Sequence, residues 1–162
     1  MEKMKTPYYI IDLQILEHYW HMLENSLNVS WGNYQVGYSF KTNSLPWLVK
    51  YVKEKGAFAE VVSNDEYLLA RYLGFDDCPI IYNGPYKEKE SFSNVVLGNG
   101  IVNIDSAQEL KWLEGLSKQY PDIKFKVGIR VNFEVVVQGK QLWAKQAVVL
   151  VSVMKQDILR RC

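Results

Sequence analysis

The sequence predicts an α/β fold built on a parallel sheet, and three observations carry that expectation. β-Branched and aromatic runs of about five to seven residues alternate with amphipathic stretches of about ten to fourteen, the rhythm of repeated βαβ units. Glycine or proline closes the amphipathic stretches, at Gly56, at Gly74, in the Gly98-Asn99-Gly100 turn and at Pro121. Successive apolar runs end in polar residues, where parallel α/β folds place their chemistry. Open doubly wound sheets and (β/α)8 barrels both satisfy this rhythm. No GxGxxG follows the first run and no GxxxxGK[ST] occurs, which counts against a sheet that binds nucleotide phosphates.

The elements follow in order. Tyr8 to Ile11 is a short β-type run, and Asp12 suits the N-cap of a helix from Leu13 to Leu27, where Leu13, Leu16, Tyr19, Trp20, Leu23 and Leu27 recur at helical spacing. His18 and His21 lie three apart on it, but no third ligand completes a metal set, so no metal is expected. A polar turn over Asn28 to Asn33 leads into a strand from Tyr34 to Phe40. Helices are expected over Pro46 to Lys55, Glu66 to Leu73 (capped by Asn64 and Asp65), Lys87 to Leu97 and Ala107 to Tyr120. Ser106 and Glu109 form a capping box at the start of the last of these. The intervening strands are Ala57 to Ser63, Pro79 to Asn83, Ile101 to Asp105 and Phe125 to Asn132.

Composition narrows the function classes. With 162 residues, 48% of them hydrophobic, the chain can bury one ordinary core and is not a disordered polymer. A net charge of +1 with no Lys/Arg cluster leaves no footprint for nucleic acid. No run reaches the roughly 20 apolar residues a membrane helix needs, and the N-terminus lacks the apolar core of a signal peptide. Cys78 and Cys162 form neither a CxxC pair nor a zinc spacing, so the expected compartment is a reducing cytoplasm.

The strand ends hold the candidate chemistry: Lys41 and Asn43, Glu60 and Ser63, Asn83, Asp105 and Ser106, then Arg130 and Asn132. Lys41 is either a solvated charge where a strand meets a loop, or an amine held at a barrel mouth and able to form a Schiff base. The local sequence leaves both open.

Six motifs in order extend the reading. They are Thr-Pro-Tyr-Tyr-Ile-Ile-Asp at 6–12, Tyr-Ser-Phe-Lys-Thr-Asn at 38–43 and Ala-Glu-Val-Val-Ser-Asn-Asp-Glu at 59–66, then Ile-Tyr-Asn-Gly-Pro at 81–85, Asn-Ile-Asp-Ser-Ala-Gln-Glu-Leu at 103–110 and Ile-Arg-Val-Asn at 129–132. The series resembles the N-terminal half of the fold-type III, pyridoxal-phosphate-dependent amino-acid decarboxylases, the diaminopimelate, ornithine and arginine decarboxylase group. The resemblance implies the N-terminal part of a (β/α)8 TIM barrel, about five of its eight strands. It implies pyridoxal 5′-phosphate as cofactor and decarboxylation of a basic or diamino acid through a Schiff base on Lys41. Asn43, Glu60, Ser63 and Arg130 match cofactor-side positions, and Glu66 matches an acidic position that is equally well a helix cap. Thr42 departs from the family's usual alanine after the lysine. The family implies a homodimer. The racemase branch usually continues Lys-Ala-Asn-Ala-Tyr-Gly-His-Gly, whereas Ser44-Leu45-Pro46-Trp47 follow Asn43 here. A racemase relative and a non-catalytic cofactor-binding remnant are the alternatives.

The resemblance divides the chain into a leading strand at 1–12 belonging to a C-terminal β domain, a partial barrel at 13–134 and a tail at 135–162. The tail carries neither the next strand's motif nor a glycine-rich phosphate loop, and a shifted reading frame near Val135 and Val136 is expected. Permissible codons for Val136 to Lys155, read from the third base, contain Gly-Gly-Arg-Phe-Gly, similar to the family's Ser-Arg-Phe-Gly segment. Such a tail, with the β-prone run Ala147 to Val153, would leave the chain poorly soluble and without turnover. The nucleotide sequence across codons 130 to 162 checks this. The expected outcome is a shifted frame that continues into a glycine-rich loop; finding no such frame makes the tail native.

Overall fold

The computed structural model describes residues 10–131 and three tail strands, Val135–Val137, Lys140–Leu142 and Val148–Val151. The chain divides into two compact units, Met1–Tyr34 and Gln35–Cys162. In the first, helix α1 spans Leu13–Ser30. Asp12 is its N-cap as expected, with Oδ1 accepting from the amides of Gln14 (2.9 Å) and Ile15 (3.1 Å). The helix continues past Leu27, absorbing part of the expected turn. His21 lies between Glu17 (3.4 Å) and Glu24 (3.3 Å), partners one helical turn away in either direction. The leading strand expected over 1–12 falls mostly outside the described residues; Ile10 and Ile11 are irregular and exposed.

The second unit alternates strictly. Its elements are β1 (Gly37–Ser39), α2 (Pro46–Glu54), β2 (Phe58–Val61), α3 (Asn64–Tyr72), β3 (Ile80–Tyr82), α4 (Lys89–Leu97), β4 (Ile101–Ile104), α5 (Ala107–Gln119) and β5 (Lys126–Val131). Strands β1 to β5 are neighbours in chain order and every pair is parallel, the connectivity of the first five strands of a (β/α)8 barrel. The tail departs from it. Strand β6 (Val135–Val137) pairs antiparallel with β7 (Lys140–Leu142), and β8 (Val148–Val151) runs antiparallel on the outer edge of β5. A barrel would continue there with a parallel strand. The unpaired edge of β5 is instead met by the β-prone valine-rich run.

Packing explains the alternation within each strand. Ala59, Val61, Ile80, Tyr82, Val102 and Ile104 are buried and share one face of the sheet. They form a single cluster with Val49 of α2, Tyr67 and Ala70 of α3 and Phe92, Val95 and Val96 of α4, with Leu113 and Leu116 of α5 packed against it. Tyr67 and Tyr82 stack with ring centroids 6.0 Å apart and planes 4° from parallel. The residues between, Phe58, Glu60, Ile81 and Ile101, are half-buried on the opposite face.

Helix starts follow a repeated device. Ser63 and Ser106, both with extended backbones, accept from the amides of Glu66 and Glu109 at 3.2 Å. Each glutamate reaches back to the amide before the serine, Glu66 to Val62 (2.8 Å) and Glu109 to Asp105 (2.9 Å). The cap of α3 is therefore Ser63, not Asn64 or Asp65: the Ser-x-x-Glu spacing satisfies two amides at once, and Asn64 already lies within the helix.

The β3–α4 loop is held from inside. Lys87, expected to open a helix, is turned inward with its side chain 0% exposed, and α4 starts at Lys89 instead. Its Nζ donates to the carbonyl of Gly84 (2.6 Å) and to both oxygens of Glu109 (3.1 and 3.2 Å), with Asp105 Oδ2 at 3.5 Å. Gly84 has φ +95°, and a Cβ there would overlap the Val62 carbonyl, so only glycine lets the loop cross the end of β2.

Lys87→Ala strands two buried carboxylates, and chemical denaturation should show a loss of about 3–5 kcal/mol. The Lys87→Met/Glu109→Leu double variant, which leaves only Asp105, still facing Arg130, should lose clearly less than the two single losses combined. Burial also raises the phenols of Tyr67 and Tyr82 above their ordinary value. A raised phenol adds stability that is complete below the unfolded value near 10 and is lost as pH climbs through the folded value. Thermal melts should therefore weaken above about pH 10, and less steeply in Tyr67→Phe/Tyr82→Phe.

Candidate functional site

The face of the sheet turned away from the helices carries the polar residues. Pairing places Ser39, Glu60, Ile81, Ile101 and Lys126 in one row across the strands. Two residues further along, Asn83, Asn103 and Gly128 come to the same face, and Lys41 lies in the turn just past the end of β1. Asp105 and Arg130 follow beyond them. Gly37 belongs to this face as well: a Cβ there would press on Ile81 Cδ1 at 3.0 Å. A row of side chains at the C-terminal ends of parallel strands is where parallel α/β folds bind ligands.

Lys41 lies in the turn after β1. Thr42 donates to the Ser39 carbonyl at 3.2 Å, and buried Phe40 anchors the other side of the chain. The Lys41 side chain is exposed at the mouth of the row. Asn43 is fastened locally: its Oδ1 accepts from the Leu45 amide (3.0 Å) and its carbonyl accepts from the Tyr38 hydroxyl (2.8 Å). This turn delivers the chain to Pro46 at the first position of α2.

Glu60 is aimed by its neighbour. Asn83 Nδ2 donates to Glu60 Oε1 at 2.7 Å, and Asn103 Nδ2 donates in turn to Asn83 Oδ1. Arg130, three strands round from Glu60, places Nη1 3.5 Å from Asp105 Oδ1, whose other oxygen faces Lys87. Lys126 lies on the same face, and burial lowers its ammonium below the ordinary value.

The site residues expected from sequence thus divide. Glu60 and Arg130 share the open face, and Lys41 lies in the turn past the end of β1. Ser63 Oγ and Glu66 are engaged in the α3 cap, and the Asn43 amide oxygen in its turn. Asn132 lies outside the described residues. Sequence reading noted Asn83 as a strand end but passed over Asn103 and Lys87. The signal for Asn103 was an amide at an alternate position of the otherwise apolar run Ile101-Val102-Asn103-Ile104.

Two observations test whether this face fits pyridoxal phosphate. Ser39 Oγ and Asn103 Oδ1 are both buried and without a hydrogen-bond partner, on the same face as Glu60. Buried polar atoms left open are costly, and a polar ligand with several donors and acceptors suits them. The residues present fit the group: a carboxylate, a guanidinium and open hydrogen-bonding atoms on one face, with the Lys41 amine in the turn at the end of β1.

The comparisons with known proteins agree. The family model for the pyridoxal-dependent decarboxylase, pyridoxal binding domain, matches residues 14–147. The L-glutamyl-[BtrI acyl-carrier protein] decarboxylase of Niallia circulans is 32% identical over 133 residues, covering 81% of this chain and 30% of that protein. The diaminopimelate decarboxylase of Methanothermobacter thermautotrophicus is 26% identical over 131 residues, covering 80% and 28%. Among solved structures, a diaminopimelate decarboxylase from m. jannaschi superposes with a TM-score of 0.59 at 25% identity, covering 74% of this chain and 28% of that one. The Helicobacter pylori diaminopimelate decarboxylase complexed with L-lysine gives 0.65 at 23% identity, covering 81% and 33%, a likeness of fold. The chain thus spans about a third or less of the length of these relatives. With the fold, the polar face and the family match in agreement, the chain belongs to the pyridoxal-dependent decarboxylases, through their pyridoxal-binding domain.

Proposed function

We propose that this chain holds pyridoxal phosphate at Lys41, as part of a decarboxylase acting on a basic or diamino acid. The observation that carries the reading is that Glu60 and Arg130 share one face of the parallel sheet while Lys41 lies in the turn at the C-terminal end of the first strand. When bound, the cofactor supplies an electron sink for the pair left behind as a carboxylate departs as CO₂. The protein's own residues bind and orient. The Lys41 amine is the attachment point, at the mouth of the site where a substrate amine can reach it. Glu60 presents a carboxylate to the same face, kept in place by Asn83. Arg130 brings positive charge to the far side of the face, braced by Asp105. The diamino or basic substrate class rests on the relatives, several of them diaminopimelate decarboxylases.

A second reading, binding without turnover, is supported by the antiparallel β8 on the edge of β5, where a barrel would continue with a parallel strand. On this reading the tail 135–162 is foreign to the barrel, and the homodimer of the family does not form from this chain by itself.

Incubation of the full chain with pyridoxal phosphate, borohydride reduction and peptide mass spectrometry test the binding claim. The expected result is a reduced adduct on the peptide containing Lys41, absent in Lys41→Ala. Labelling spread over several surface lysines, or unchanged in Lys41→Ala, rejects the site. Release of CO₂ from diaminopimelate, lysine or ornithine by the same preparation decides between the two readings.

A further inference from the structure

We propose that Asn83 and Asn103 are positioning residues: a two-amide relay that fixes the direction of the Glu60 carboxylate toward the cofactor face. This rests on the cofactor-site reading above. An ionised carboxylate only accepts hydrogen bonds, so Asn83 must turn its NH₂ to Glu60 Oε1, as it does at 2.7 Å. That leaves the Asn83 carbonyl pointing to β4, where it accepts from Asn103 Nδ2. Each amide thereby sets the orientation of the next, and Asn103 is itself fixed by burial at 3% exposure.

The relay crosses three neighbouring strands on one face, from β2 through the end of β3 to β4. Its far end, Asn103 Oδ1, is buried with no partner, so the direction of the chain is not imposed from that side. Glu60 imposes it. Rotation of either amide would set two oxygens against each other at one joint or the other, so the hydrogen bonds admit one arrangement. A glutamate with free side-chain torsions would sample several directions at the half-exposed edge of the row. Bound to Asn83 it has one.

The test is a double-mutant cycle on the full chain with two readouts. Asn83→Leu, Glu60→Ala and their combination are compared by thermal melting without cofactor, and by titration of pyridoxal phosphate followed by absorbance. Asn83→Asp keeps the side-chain shape while removing the donors, and serves if the leucine variant does not fold. The expected result is non-additive melting shifts together with cofactor affinity weakened about tenfold in either Asn83 variant, with no further loss when Glu60 is already alanine. Additive effects in both readouts overturn the relay. Non-additive melting with affinity unchanged in the Asn83 variants overturns the positioning role, leaving a structural hydrogen bond. A wild-type chain that binds no cofactor, or one that Lys41→Ala leaves equally competent, sinks the cofactor-site reading and the positioning role with it.

Discussion

The arrangement of strand ends depends on one buried cation. A lysine ammonium taken out of water carries a penalty of several kcal/mol unless it is surrounded by acceptors in good geometry. Lys87 meets that condition by drawing acceptors from two connections, the Gly84 carbonyl from its own loop, Asp105 from the end of β4 and Glu109 from the first turn of α5. Neither connection can shift without leaving a charge unmatched. Because Asp105 also faces Arg130, the constraint extends from β3 across β4 to β5. Glu109 has a second duty as the carboxylate of the α5 capping box, which joins the start of a helix to the same cluster.

The two faces of the sheet divide the work. The face under the helices is apolar and closely packed, and it supplies the stability. The other face retains amides, carboxylates, a guanidinium and lysines, with the Ser39 hydroxyl and the Asn103 amide oxygen left open. Such a face weakens a fold, and proteins keep one where a ligand is to be met. The polar residues are not scattered over it: they come at alternate positions near the strand ends and are linked sideways by hydrogen bonds from one strand to the next.

Much of this was legible in the sequence because the governing signals are local. The βαβ rhythm, the Asp12 cap, the stops at Gly56 and Gly74 and the Ser106–Glu109 box depend on neighbours in the chain, and the structure repeats them. Strand lengths were overread: the run from Tyr34 to Phe40 is mostly apolar and aromatic, but the paired strand is only Gly37–Ser39, since pairing depends on a partner strand that spacing does not reveal. The inward turn of Lys87 was missed for a related reason. A lysine in a polar loop reads as solvated, and its three acceptors lie up to 22 positions away in the chain. Glu66 takes the helix-cap role the sequence also allowed it, but its partner is Ser63, a Ser-x-x-Glu spacing that the match of Ser63 to a cofactor position had overshadowed.

Gly84 carries a consequence for how this protein can change over generations. Its positive φ and its contact with the Val62 carbonyl exclude every side chain, while its own carbonyl is the shortest acceptor of Lys87. Position 84 therefore has no neutral substitutions, for reasons of backbone space alone. Drift in the chemistry of the strand ends has to proceed around it, and in a saturation library of this domain it should be among the emptiest columns, alongside Lys87 rather than alongside the surface residues that adjoin it in sequence.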